Sequence, residues 1–505
     1  MLVGRILMLK YLNPYPRNLK LGKPMPSFQS VKLIHSRDEG ITTEAYRLAS
    51  ELRELAGIKL QKGHEEAVNL ILQLENGLPQ EGYRLSIKQD GITITASDLP
   101  GLYYGGQTLL QILLLGKELR EIEIEDWPHY KVREVMLDLG RAPYSTKMLK
   151  RVVRIMSRLK LNSLHLHLYD DHLNSLKFEN LPLGHENHWA LTTEELRELI
   201  AYAREYHVSV VPELEAWGHA GSIIYHYPDL YGAPGMWEGS SFGIGEELYE
   251  LLAKMFREVI PVLEKESAVH LGLDEAKWAT LPSVQKEDIE QYTPSQHCLR
   301  LYNLLQEIGE EYGRKLQMRI WADHGGRPLP REIEDKVIVE PWQYWECQGE
   351  DIKKKCAQYG KAGKPFMMGA GMSSMHLQGT YGATRLWCQE GKSFSNVLGV
   401  DICLWESNLF PEQLVGVYAG ADYAWGYSKK IPEKEDLYRE RLLGFVMEQL
   451  LNWQLKFPDA NSNALLQDRG PAVRRGYYLN GPLAGQSVAP TAEKVENRKE
   501  DTLLY

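Results

Sequence analysis

Apolar and polar positions alternate in short runs over the first quarter of the chain. "AVNLILQLE" (67–75) predicts a strand, and "YRLSIKQDGITITAS" (83–97) predicts a hairpin, because apolar residues alternate on both sides of an Asp90-Gly91 turn signal. "GLYYGGQTLLQILLLG" (101–116) predicts an apolar helix packed on that sheet, and "REIEIED" (120–126) a closing strand. Residues 1–126 therefore read as a small α/β domain.

From Arg133 the pattern becomes strand, loop, amphipathic helix, repeated. Strands are expected at 133–140, 162–169, 207–215, 268–275, 316–323, 336–342, 365–371 and 398–405, with helices such as 146–159, 194–206, 246–265 and 294–314 between them. Eight such units over residues 127–430 predict a (β/α)8 barrel rather than an open doubly wound sheet. No glycine-rich phosphate fingerprint follows the first strand, which weighs further against a dinucleotide fold. Residues 431–505 read as a helical C-terminal extension, amphipathic at first and ending in a loose polar tail.

Composition changes this picture little, with two exceptions. Core packing accounts for most of the 12 Trp and 28 Tyr, but aromatic faces also suit flat, partly apolar ligands such as sugar rings. The net charge of −10, with no basic stripe, argues against nucleic acid as a partner. Five Cys without a CxxC pair argue against a disulfide framework or a zinc ribbon. The N-terminus reads as a poor signal peptide and no segment has the apolar length of a membrane span, so a cytoplasmic location without membrane contact is the expectation. A homodimer stays open as the assembly.

In a barrel of this kind the loops after the strands build the mouth, so polar residues at strand ends carry the chemistry. The first strand ends near Asp138 and Arg141, the second at Asp170 and Asp171, and the third at Glu213, Glu215 and His219. The fourth ends at Asp274 and Glu275, the fifth at Trp321 and Asp323, the sixth at Trp342 and Trp345, and the eighth at Trp405 and Glu406. A single acid there is usually a helix cap. Acids and indoles together at seven of eight ends point to a sugar-cleaving site, where carboxylates move protons and indoles stack on the ring.

Two of these positions pose a question. Neighbouring residues on a strand face opposite ways, so Asp274 and Glu275 can serve one pocket only if the strand ends there and the chain turns. His165 and His167, two apart, share a face. They could ligate a metal with Asp170 and Asp171, or be hydrogen-bonded to acids inside the barrel, and the latter is favoured because later strand ends supply Trp and carboxylates rather than more His.

Several motifs, in order, resemble glycoside hydrolase family 20, the β-N-acetylhexosaminidases. "HLGLDE" resembles the family's HxGGDE, "VMLDLGRAPY" its first strand, "LNSLHLHLYDD" its HWHLTDD stretch, and "VVPELEAWGHAG" its VPEIDxPGHA stretch. The segment "EGYRLSIKQDGITITASDLPGLYYGGQTLLQIL" is similar to the small domain preceding the family's barrel. The likeness covers roughly residues 65 to 430.

The resemblance implies a retaining exo-hydrolase acting on oligosaccharides or glycoconjugates with terminal β-linked GlcNAc or GalNAc, without a cofactor or metal. The sugar's own acetamido oxygen would serve as nucleophile and give an oxazolinium intermediate. It further implies Glu275 as general acid and base, Asp274 as the ionised partner of the acetamido group, and Arg141 on the outer hydroxyls. Asp171 (or Asp170) and His219 would stand behind the acids. Trp321, Trp342 (or Trp345) and Trp405 would wall the acetamido pocket, Tyr381 would bond the acetamido oxygen, and Glu406 would bind outer hydroxyls. Leu273 stands where the family has its second Gly, Trp217 where it has Pro, and Trp405-Glu406 lacks the family's spacer, which implies a divergent branch. The rival readings are a conventional retaining β-glycosidase with a carboxylate nucleophile, and a catalytically silent sugar-binding barrel.

Overall fold

A computed structural model describes residue 9 and residues 12–426, apart from 62–66, 116–118, 188, 236–238, 325–327, 374–379 and 406–409. The predicted extension 431–505 and the candidate Glu406 lie outside the described residues, as does the side chain of Tyr381. The described chain forms two compact units. One takes the residues up to Arg133 with Arg158–Leu161 and 417–426; the other takes Glu134–Ser157 and Asn162–Gly416. None of the described helices is long and apolar enough to cross a membrane.

The first unit is a seven-stranded sheet. Its strands are β1 (Asn18–Met25), β2 (Ser30–His35), β3 (Lys59–Leu60), β4 (Val68–Leu74), β5 (Tyr83–Lys88), β6 (Gly91–Ala96) and β7 (Leu119–Asp126), in the order β1-β7-β5-β6-β4-β2-β3. The predicted hairpin is β5–β6, in register from Tyr83↔Ala96 to Lys88↔Gly91. Helices α1 (Glu39–Ala56) and α2 (Leu99–Leu115) pack on each other and on the sheet. The charged pattern of β1, β2 and α1 gave no sequence expectation. Asp38 caps α1 by accepting the Ile41 N–H, and only one stripe of the helix is apolar. Lys160 is fully buried here, its Nζ 2.8 Å from the Tyr83 hydroxyl and 3.1 Å from Asp126 Oδ2.

The second unit is a closed barrel of eight strands. They are β8 (Val132–Asp138), β9 (Ser163–His167), β10 (Ser209–Glu213), β11 (Glu266–His270), β12 (Lys315–Trp321), β13 (Ile338–Glu340), β14 (Phe366–Ser373) and β15 (Val397–Trp405), each beside the next in sequence. All eight fall within a few residues of their expected positions. Helices α3 (Thr146–Arg158), α4 (Thr193–Glu205), α5 (Glu246–Val259), α6 (Pro294–Glu311), α7 (Gly349–Ala362), α8 (Thr380–Gly391) and α9 (Phe410–Gly426) follow β8, β9, β10, β11, β13, β14 and β15 in turn, with α9 counted in the first unit from Val417 on. The α4 helix opens with a full capping box, Thr192 and Glu195 satisfying each other's backbone N–H.

The strands alternate as a barrel requires, but what they turn inward is charged. Arg319 on β12 forms two bonds to Glu134 on β8 (2.9 and 2.6 Å) and one to Glu340 on β13 (2.6 Å), all three fully or nearly fully buried. His165 on β9 donates through Nδ1 to Asp401 on β15 at 2.8 Å and lies 3.2 Å from Glu213 Oε2 through Nε2. His167 reaches Glu213 at 2.5 Å and Asp170 at 2.9 Å. The histidine pair is thus engaged by acids, the second of the two readings. Burial is the largest influence on both rings and disfavours charge. The carboxylates outweigh it, Glu213 and Asp401 for His165 and Glu213 and Asp170 for His167, and push both rings up to about 10.

Such a centre is sensitive to the loss of one partner. Arg319→Met removes the cation that bonds both Glu134 and Glu340, and should cost about 3–5 kcal/mol of stability in urea unfolding at neutral pH. A loss below about 1 kcal/mol would mean that the acids simply take up protons.

Candidate active site

The fourth strand ends earlier than expected. It stops at His270 instead of running to Asp274, and the polypeptide then adopts left-handed backbone at Gly272 (φ 63°), Leu273 (φ 76°) and Glu275 (φ 47°). Period-two alternation cannot anticipate this, because Leu271 and Leu273 keep the apolar spacing of a strand and are both fully buried. Gly272 is demanded by space: a Cβ there would lie 1.8 Å from Glu215 Oε2. Leu273 has no such excuse, and bulky residues rarely adopt this conformation without a functional reason. The turn removes the strand's parity, and both acids come to one side.

That side is defined by His219, itself at φ 47° and nearly buried in the loop after β10. Its Nε2 lies 3.6 Å from Asp274 Oδ2 and 3.4 Å from Glu275 Oε2, while Nδ1 lies 3.5 Å from Asp170 Oδ2 and 3.4 Å from Asp171 Oδ2. Burial works against charge on this ring, but Asp170 and Asp274 outweigh it and raise its pKa well above the ordinary value. Gly218 lets the loop press against the acid turn, since a Cβ there would meet the Asp274 carbonyl at 2.2 Å.

The two acids are not equivalent. Asp274 is 7 % exposed, and its Oδ1 is buried with no hydrogen-bond partner among the described residues. Burial first, then Asp323, Glu213 and Glu275, raise its pKa well above the ordinary carboxylate range, against the pull of His219. The clustered acids thus work against charge on Asp274, and His219 works for it. Glu275 is more open, with a side chain 15 % exposed, and its backbone N–H donates to Asp323 Oδ2 at 3.1 Å.

Arg141 sits at the end of β8. Its Nη1 donates to Asp138 at 2.9 Å, its Nη2 lies 2.8 Å from Asp170, and its guanidinium rests 5.5 Å from the Trp405 ring centre. Asp170 thus joins Arg141, His167 and His219. Burial opposes its charge, yet those cations hold its pKa well below the usual range. Asp171 is placed differently from a substrate-binding group. It is 1 % exposed, and its Oδ1 accepts the backbone N–H groups of Gly221 (2.8 Å) and Ser240 (2.9 Å), which fixes the loops behind His219.

An aromatic cluster lies in the same unit. Trp321 is fully buried, its Nε1 donating to Glu213 at 2.7 Å, so it is a floor rather than an open wall. Trp342 and Trp405 are partly exposed and pack against Trp321, Tyr344, Met136 and Cys403. Of the two tryptophans left open by the sequence, Trp342 joins this group, stacked on Tyr344 at 5.2 Å, with its Nε1 donating to Asp323. Trp345 meets the edge of Tyr344 at 6.3 Å. Sequence reasoning missed three residues here: Tyr344, hidden between two more conspicuous tryptophans, and Asp323 and Glu215, seen at strand ends but given no work. Asp323 serves both Trp342 and Glu275, which only the three-dimensional arrangement reveals.

Trios such as Asp170–Asp171–His219 and His165–Glu213–His270 bring potential metal-ligand atoms within 4.8 Å of one another, all on buried residues. In both, the histidine nitrogens and carboxylate oxygens lie at ion-pair distance from one another, which accounts for the clustering without a cation.

Barrel, paired acids and aromatic floor together define a sugar-hydrolase type of architecture, and comparison with known proteins narrows it. Residues 130–373 match the family model "Glycosyl hydrolase family 20, catalytic domain", and residues 10–127 match "Glycosyl hydrolase family 20, domain 2". The chain belongs to glycoside hydrolase family 20. It is similar to a beta-hexosaminidase of Porphyromonas gingivalis (27 % identity, over 61 % of this chain and 45 % of that protein) and to one of Vibrio furnissii (28 %, over 58 % and 53 %). The chain thus spans about half the length of these curated relatives. Its fold is similar to that of a chitobiase of Flavobacterium johnsoniae (TM-score 0.71, 22 % identity, 88 % of this chain and 73 % of the other). A β-N-acetylhexosaminidase of Streptomyces coelicolor is similar in the same way (TM-score 0.67, 20 %, 89 % and 96 %).

Proposed function

We propose that the protein is a retaining exo-β-N-acetylhexosaminidase that removes terminal β-linked GlcNAc or GalNAc by substrate-assisted catalysis. The observation that carries this reading is the unpartnered, buried Oδ1 of Asp274. A buried acceptor left without a donor is costly, and in a binding site it is a vacancy for a ligand's N–H. An acetamido N–H fills it and brings with it an acetamido oxygen that can reach the anomeric carbon, which a 2-hydroxyl does not.

With that bond made, the acetamido oxygen is directed at the anomeric carbon and attacks it. The C–O bond to the leaving group breaks as Glu275 delivers its proton to that oxygen. Positive charge then spreads over the five-membered oxazolinium ring, next to Asp274. Asp274, ionised in this step, balances that charge and keeps the acetamido group aimed at the anomeric carbon. Glu275, now a carboxylate, takes a proton from water, which opens the ring and returns a β-configured sugar. Arg141, held rigid by Asp138 and Asp170, is preorganised for paired bonds to outer hydroxyls. Trp342 and Trp405 cover the acetamido methyl and the sugar face. Tyr344 stands beside them as a hydroxyl in the aromatic group.

A panel of aryl glycosides tests the reading. GlcNAc and GalNAc substrates should be cleaved with kcat/KM at least about 10⁴-fold above the matching glucoside and galactoside, because those sugars lack the internal nucleophile and its effective molarity. Comparable cleavage of a plain β-glucoside would instead favour an enzyme carboxylate as nucleophile. A thiazoline mimic of the oxazolinium ring should inhibit competitively, and no inhibition at millimolar concentration would contradict the intermediate.

A further inference from the structure

Two residues past the end of β10, Glu215 is fully buried and takes no part in the steps above. Its Oε2 accepts the Leu273 N–H at 3.3 Å, and the Cα of Gly272 lies over its carboxyl so closely that a Cβ would sit 1.8 Å from Oε2 and 2.3 Å from Oε1. The backbone around Glu215 is itself anchored. Its carbonyl accepts the Tyr169 hydroxyl at 3.2 Å, and the N–H groups of Leu214 and Ala216 donate to the carbonyls of His270 and Leu271 at 2.8 and 3.1 Å. The carboxyl is therefore a fixed post, and the segment it supports is the left-handed turn that carries both acids.

We infer that Glu215 is a positioning residue, which holds the Gly272–Leu273 turn and thereby aims Asp274 and Glu275 at the same substrate. The inference rests on the hexosaminidase reading and adds a working part to it. Two departures from the family motifs meet in this one contact. Glu215 stands where VPEIDxPGHA has Asp, and Leu273 where HxGGDE has its second Gly. Leucine resists left-handed backbone where glycine does not, and the longer acid supplies the hydrogen bond that keeps it there.

The groups facing Glu215 decide the form in which it does this. Asp274 approaches from the β11 turn, Glu213 and His219 from its own strand and loop, Asp170 from the β9 loop, and His167 Nδ1 from β9 at 3.8 Å from Oε1. Burial, then Asp274 and Glu213, raise its pKa well above the carboxylate range, with His219 pulling the other way. These surroundings favour the protonated form of Glu215, and loss of that proton as pH rises would set a charge directly against Asp274.

The test compares full-length wild type, Glu215→Gln and Glu215→Leu on a GlcNAc disaccharide and an activated aryl GlcNAc across pH, with melting curves for each. Glu215→Leu should lose about 10²-fold, mainly in kcat, since misaiming by about an ångström is enough for that. Glu215→Gln keeps an acceptor at the same reach and should recover kcat to within about tenfold of wild type. Because Gln cannot ionise, its activity should also persist to higher pH than that of wild type. Wild-type kcat in Glu215→Leu, a loss confined to KM, or a Gln variant as poor as Leu would each overturn the inference while leaving an active wild type and its function intact. If Glu215→Leu does not melt cooperatively, Gly272→Ala displaces the same turn from the opposite side and must show the same kcat-weighted loss. An inactive wild type would remove the hexosaminidase reading and this inference together.

Discussion

Replacing Glu275 by Gln should lower turnover of a GlcNAc disaccharide by about 10³–10⁴-fold, the range expected for loss of a general acid. On an aryl glycoside with a strongly activated leaving group the loss should be at least about tenfold smaller, because a phenolate departs without a proton. The asymmetry follows from where Glu275 stands. It is the more exposed of the two acids, at the mouth side of His219, and its backbone is held by Asp323, which also fixes Trp342. Leaving-group oxygen and pocket wall are thus referenced to one carboxylate. Steady-state kcat and kcat/KM on both substrates check the prediction. Equal losses would show that Glu275 does something other than donate a proton.

Asp274→Asn should reduce kcat by about 10²–10³-fold, the cost of losing one preorganised group at a site of developing charge. Asn can still accept the acetamido N–H but carries no charge to meet the oxazolinium. Two pH effects accompany this, and their signs follow from the raised pKa of Asp274. Because the anion is the working form, wild-type kcat/KM should fall as pH drops through that raised pKa, and the Asn variant should lack this limb. Stability moves the other way. A carboxyl whose folded pKa lies above its unfolded value of about 3.9 contributes its stabilisation fully below the unfolded pKa and loses it as pH rises through the folded one. Asp274→Asn should therefore melt at a higher temperature than wild type at neutral and alkaline pH, with the gap closing in acid. A variant less stable than wild type at alkaline pH would contradict the burial argument. The site is held at the expense of stability, as functional carboxylates in enclosed places often are.

Local patterning determined more of this molecule than its length suggests. The hairpin 83–97, the apolar helix after it and all eight barrel strands were readable because the period of apolar residues reports which face is buried, and burial is what these elements share. Strand ends were readable for the same reason, so Arg141, His219, Asp274, Glu275 and the tryptophans were found one by one. Strand β1 was not, since a sheet edge with so few buried positions leaves little apolar signal.

What only the tertiary structure decided is how those ends work on each other. The run "AVHLGLDE" reads as a strand up to its acids, yet the strand stops at His270, and the turn that joins Asp274 to Glu275 exists because Glu215, Gly218 and His219 from another segment press on it. Left-handed backbone at Leu273 cannot be read from leucine, which disfavours it; there the Leu273 N–H donates to a carboxyl 58 positions away. The protonation of Asp274 has the same origin. Its sequence neighbours supply one further acid, and the rest of its electrostatic surroundings, Glu213, Asp323 and His219, arrive through the closure of the barrel. Patterns of burial are local and so are written in the chain, whereas the fields and contacts that tune a carboxylate are sums over distant residues and exist only once the chain has folded.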